Sequence, residues 1–161
     1  LVGQRLGGGF IKESRETGYW AVALGTILMS LFGLIFFFFP YLVMSLFDPP
    51  EPEVLRLGVI CLQIAAVEQP FIALTMIFSG ALKGLGDTKG PFQVGLYSNL
   101  FIRLPLFYLV VYVLQLEVYY IWWVTALQYA VSALFLYLMY RGKNWSTLKP
   151  LPRTESKFHQ I

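Results

Sequence analysis

Two charges stand alone inside otherwise apolar stretches, and they are the residues most able to do chemistry. Glu68 lies at the middle of the apolar run 54–82, and Arg103 lies inside the run 92–115. An ionised carboxylate at mid-membrane depth is costly, which makes Glu68 a functional candidate by default. Arg103 cannot shed its charge by deprotonation, so it needs a carboxylate, carbonyls or water. Glu68 and Arg103 are an obvious pair across adjacent spans. At about 100° per residue, Glu68, Ile72, Thr75, Ser79 and Lys83 share one helical face within roughly 80°. Asn99 and Arg103 are four apart and share another. Thr125, Gln128, Tyr129 and Ser132 form a third polar face within roughly 100°.

Two kinds of role fit these residues. A polar stripe from mid-membrane to one helix end suits a water-filled cavity, in which Glu68 exchanges a proton or Na⁺ with a ligand. Alternatively, the same groups bond helix to helix and hold a bundle together, the commoner use of Thr, Gln and Ser between membrane helices. For Arg103 the structural role is the usual one.

The elements that must position these residues are membrane helices. The chain has 161 residues, 57% hydrophobic and 13% charged, with a mean hydropathy of +0.64. A soluble domain of this size has no interior large enough for so much apolar surface. The reading is all-α and polytopic, with four complete transmembrane helices at about 19–47, 54–82, 92–115 and 119–140. Residues 1–18 read as the end of a preceding helix and a charged loop, and 141–161 as a basic tail. Tyr19 and Trp20, then Tyr119, Tyr120, Trp122 and Trp123, suit the membrane interface.

Ten of the twelve basic residues fall in three groups: Arg5, Lys12 and Arg15; Lys83 and Lys89; and Arg141, Lys143, Lys149, Arg153 and Lys157. Each group falls on the same side of a four-span bundle, whereas the loop Asp48–Glu53 has acids and prolines alone. The positive-inside rule makes the basic side cytoplasmic, with a multi-pass protein in the cell membrane and a cytoplasmic C-terminus. Basic residues gathered at loops do not form a nucleic-acid surface. With one cysteine (Cys61), one histidine (His159) and scattered acids, there is no metal or disulfide framework and no clustered enzyme site. Gly7-Gly8-Gly9 lacks the Lys-Ser/Thr of a phosphate loop. No cofactor is expected.

Between the second and third spans lies Gly80-Ala-Leu-Lys-Gly-Leu-Gly-Asp-Thr-Lys-Gly-Pro91. The glycines permit a sharp turn, Asp87 and Thr88 are acceptors for the free amides of the next helix, and Pro91 fits its first turn. This elbow, with Lys83, Gly84, Gly86, Asp87 and Thr88 at its centre, resembles the corresponding turn of the MATE family of multidrug and toxin extrusion transporters. Leu1-Val-Gly-Gln-Arg-Leu-Gly-Gly-Gly9 and Arg103-Leu-Pro105 resemble two further pieces of that family, in the same order. The resemblance covers the whole chain and aligns it with the end of helix eight through helix twelve of a twelve-helix, two-lobe transporter. The chain would then be most of the second lobe, with the first lobe of the same transporter as its partner alongside the lipid bilayer.

The resemblance implies export of an organic cation or amphipathic substrate by antiport against Na⁺ or H⁺, with alternating access. A flippase for lipid-linked saccharides, from the same superfamily, is the alternative and would show a larger, more basic cavity. Some family members carry a carboxylate one turn closer to the elbow, where Ile72 stands here, so Glu68 corresponds by location only. The family's frequent Gly-Val-x-Gly-x-Trp before the last span is represented by Glu117-Val-Tyr-Tyr-Ile-Trp122, without its glycines.

Overall fold

In a computed structural model, residues 1–47 and 51–145 are described. Asp48, Pro49 and Pro50 of the acidic loop, and the tail from Ser146 with His159, lie outside them. A short α1 (Val2–Gly7) turns at Gly9 into α2 (Ile11–Phe38). Then follow α3 (Pro40–Ser45), α4 (Pro52–Gly84), α5 (Lys89–Val113) and α6 (Tyr119–Arg141). The four long helices α2, α4, α5 and α6 are long and apolar enough to cross a membrane. No strand occurs among the described residues.

α4 is central. It packs along α2 on one side and α6 on the other, while α5 lies mainly against α6. Two sequence features set the α2–α4 approach. Pro70 lacks the amide that would bond the Ala66 carbonyl one turn earlier. Gly33 faces that carbonyl: a Cβ there would stand 2.8 Å from Ala66 O. Hydrocarbon offers no hydrophobic drive between helices, so small residues that admit close backbone contact are a main source of packing. Gln63 adds a hydrogen bond from Nε2 to the Phe37 carbonyl at 3.3 Å. Phe37, Phe38 and Phe39 are exposed outward, as a lipid-facing run requires.

The first span differs from expectation at its start. Lys12–Gly18, expected as a loop, is helical and continuous with the span. Gly9, at φ +84°, makes the reversal that brings α1 back along it. Ser14, fully buried, donates to the Val2 carbonyl at 2.8 Å, and Arg5 pairs with Glu13 at 2.9 Å. Leu6, Phe78, Leu82, Leu136 and Tyr140 form the centre of a buried apolar cluster at this end of the bundle. The Tyr140 hydroxyl reaches across to the Arg15 carbonyl at 3.0 Å, over Gly18, where any side chain would collide with the phenol.

The elbow residues divide their work. Only Gly86, at φ +85°, uses glycine's left-handed freedom there. Gly84 instead admits α1, whose Gly3 would, with a Cβ, stand 2.7 Å from the Gly84 carbonyl. Lys83 is exposed. Asp87 Oδ1 accepts the Gly90 amide at 2.9 Å, whereas Thr88, at the cap position, makes no capping hydrogen bond. One residue supplies the cap expected of two, and Asp87 Oδ2 also accepts from Lys143 Nζ at 2.7 Å. Lys143 and the Gly90 amide hold the Asp87 carboxyl below its ordinary pKa of 3.8.

Gly33→Val should destabilise the complete protein by about 1–3 kcal/mol through overpacking. Gly80→Ala, with nothing within 4 Å of the added carbon, should be neutral or slightly stabilising; thermal melts in detergent compare the two. Because the folded pKa of Asp87 is depressed, its contribution is present above pH 3.8 and lost as the pH falls through the lower folded value. Melting curves of wild type and Asp87→Asn should differ near neutral pH and converge in acid.

Candidate functional site

Most of the sequence-selected polar residues converge on one place. Thr75 and Ser79 of α4, Asn99 and Arg103 of α5, and Gln128, Tyr129 and Ser132 of α6 line a cavity of about 200 Å³. Three helices supply its wall, which is why no single periodicity outlines it. Thr75 Oγ1 donates to the Tyr129 carbonyl at 3.3 Å, tying α4 to α6 at the cavity edge. Gln128 Nε2 donates to Ser98 Oγ at 3.3 Å, tying α6 to α5. Ser132 turns its hydroxyl back to the Gln128 carbonyl at 2.8 Å. Gln128 is 5% exposed, and its Oε1 has no partner among the described residues. Lys83 lies outside this wall, at the elbow end of α4.

Asn99 and Arg103 bound a wider, π-helical turn. The Leu104 amide donates to the Asn99 carbonyl five residues earlier, and a second such turn spans Leu109–Val113. Pro105 lies between them and removes one amide from the ladder. A π turn inside an α-helix frequently marks a functional position. Proline at 105 was a visible signal of irregularity in this helix, while the two flanking π turns had no sequence signature of their own. Asn99 Nδ2 bonds its own helix at the Gly95 carbonyl, 2.8 Å away.

Glu68 is not on the cavity wall. It is 4% exposed and hydrogen-bonds the Thr125 hydroxyl, whose single proton is shared between Glu68 and the Trp122 carbonyl 2.7 Å away. The anticipated Glu68–Arg103 pair does not form: the Arg103 guanidinium sits 5.4 Å from the centre of the Phe107 ring, one turn along α5, and no ion pair joins it to Glu68. Thr125 therefore belongs with Glu68, and the other polar residues of α6 belong with the cavity. Pro70, two residues after Glu68, is a feature that polar spacing missed. The Gln69-Pro70 dipeptide inside an apolar run was its signal. Among the described residues no cluster of His, Cys, Asp and Glu is arranged to hold a metal.

The sequence model of the MatE family matches residues 1–109. The chain belongs to the MatE family. It is 30% identical to the probable multidrug resistance protein NorM of Pseudomonas aeruginosa over 156 residues, which cover 94% of this chain and 31% of that protein. It is 31% identical to the probable multidrug resistance protein NorM of Pseudomonas syringae pv. tomato, covering 92% of this chain and 33% of the relative. It is also 31% identical to the multidrug resistance protein NorM of Burkholderia vietnamiensis, covering 94% and 34%. The chain thus spans about a third of the length of these curated relatives. Within this MatE chain the matched region takes in α2, α4 and the elbow, and it extends through Arg103 and Pro105.

The Glu68–Thr125 contact joins the two helices at a buried point, so removing the Thr125 hydroxyl leaves the Glu68 carboxyl without its hydrogen bond. Thr125→Val should cost about 1–3 kcal/mol. A double-mutant cycle with Glu68→Leu should give a coupling of about 0.5–3 kcal/mol in thermal melts of the complete protein. Additive effects would show that the contact carries no energy.

Proposed function

We propose that this chain is part of the second lobe of a multidrug exporter that moves cationic or amphipathic compounds by Na⁺- or H⁺-coupled antiport with alternating access. The observation that carries the reading is the convergence of Thr75, Ser79, Asn99, Arg103, Gln128 and Tyr129, from three membrane-length helices, on one polar cavity. Packing alone does not require a polar cavity among apolar spans, since each helix satisfies its own backbone. The relatives' names, multidrug resistance protein, support the same direction.

In this reading the cavity handles substrate and Glu68 handles the coupling ion. A carboxylate on α4 alternates between a bound cation or proton and its Thr125 hydrogen bond, and occupancy biases how α4 packs on α6. The elbow, with Lys83 and Lys89, and the end of α6 with the residues after it, Arg141 and Lys143, lie on the cytoplasmic side, and the loop around Glu51 and Glu53 on the outer side. A first lobe supplies the opposite wall. A flippase for lipid-linked saccharides is less well supported, because this cavity is small and holds one guanidinium.

The test uses the complete transporter in energised inverted vesicles, with ethidium as the probe and Na⁺ and proton gradients imposed separately. Wild type should accumulate ethidium under one gradient, and Glu68→Gln should lose about tenfold or more of that gradient dependence. Accumulation that is unchanged in Glu68→Gln would return this carboxylate to a purely structural role. Gradient-independent behaviour of a folded wild type towards every organic cation tried would sink the exporter reading.

A further inference from the structure

Charge alone does not define the ligand of this cavity: Arg103 of its wall acts on the Glu68 carboxyl, and the two are opposite in sign. Hydrogen-bond polarity is more specific. Thr75 commits its hydroxyl proton to the Tyr129 carbonyl, and Ser132 commits its own to the Gln128 carbonyl. A hydroxyl so engaged keeps only acceptor capacity. Asn99 Nδ2 donates to the Gly95 carbonyl at 2.8 Å. A carbonyl cannot donate, so this amide cannot be turned round, and Oδ1 is the end left over. Asn99 is exposed at the cavity wall. Gln128 repeats the arrangement on α6. Its Nε2 goes to Ser98 Oγ, whose proton is committed to the Gly95 carbonyl at 3.2 Å. Its Oε1 is buried without a partner among the described residues, and such an oxygen calls for a donor. Ser79, Tyr129 and Arg103 keep donors on the same wall, so the requirement comes from the two amide oxygens.

We propose that Asn99 Oδ1 and Gln128 Oε1 select cations that carry N–H groups, such as protonated amines and amino-substituted aromatic cations, over cations fully alkylated at nitrogen. The inference rests on the exporter reading, since it names the subclass of organic cation that the cavity takes. A fully alkylated nitrogen brings charge without a donor, so it displaces water from the amide oxygens and puts nothing in its place. An N–H cation replaces that water with a charge-assisted hydrogen bond. Asn99 presents its oxygen openly, and Gln128 reaches a ligand by turning its amide off the long 3.3 Å bond to Ser98. The cavity's 200 Å³, below the usual span for a whole drug-sized ligand, suits the amino end of such a molecule.

The experiment is equilibrium binding to the complete transporter in nanodiscs without any gradient, with binding to empty nanodiscs subtracted. The probes are thionine and methylene blue, which share one planar phenothiazinium cation and one positive charge. Thionine ends in NH₂ groups and methylene blue in N(CH₃)₂ groups. Wild type should bind thionine about tenfold more tightly than methylene blue. Asn99→Leu and Gln128→Met, close in size to the residues they replace, should each lower that ratio about threefold, and the double variant should bring it to about one. Asn99→Asp, which keeps an acceptor oxygen, should retain the preference. Equal wild-type affinity for the two dyes, or tighter binding of methylene blue, overturns the proposal whatever the variants do. So does a preference that survives in the double variant, because a filter acting on the bulk of the methyl groups would persist there. A transporter that preferred thionine yet exported no cation would refute the exporter reading alone, and an active exporter without the preference would refute this inference alone.

Discussion

Hydrocarbon gives a membrane helix no reason to leave its own backbone unsatisfied, and that constraint organises this molecule. Each long helix closes its own hydrogen bonds, so association depends on small residues and on the few side chains that reach across. α4 collects both. Gly33 admits the Ala66 carbonyl that Pro70 has released, and Glu68, Thr75 and Gln63 send or receive the cross-helix bonds. The central helix is fixed by these polar atoms together with its share of the apolar cluster, Phe78, Ala81 and Leu82.

The helices were legible because hydropathy, aromatic belts and basic clusters all marked the same boundaries. α4, α5 and α6 begin and end within a few residues of the expected limits. The start of α2 was not legible, since Lys12-Glu13-Ser14-Arg15-Glu16 carries loop-like charge yet helps to build the hairpin with α1. Helical spacing placed Thr75 with Ser79, and Gln128 with Tyr129, on shared faces. It could not say that these faces and that of Asn99 and Arg103 meet, because convergence depends on how three helices are rotated against one another. The same limit explains Glu68 and Arg103: they were paired as the two mid-span charges, and rotation gave each a different neighbour, Thr125 and Phe107.

That difference in neighbours gives the helical bundle two polar sites. One holds a carboxylate with a single hydroxyl donor, the other a guanidinium with amides and hydroxyls. They are connected through α4 and α6, which contribute to both. A change in the hydrogen bonding of Glu68 acts on helices that also shape the cavity, so the two sites have a physical route by which to influence each other.

The ends of the bundle are built from different materials. At the elbow end, Leu6, Phe78, Leu82, Leu136 and Tyr140 are buried together, and the Tyr140 and Ser14 hydroxyls tie distant backbone. At the other end, the inter-element charge contact is Arg56 to Glu117 at 4.0 Å, half exposed and open to screening by salt. Buried apolar packing and backbone-tying hydroxyls are thus concentrated at the elbow end, where α1, α2, α4 and α6 meet.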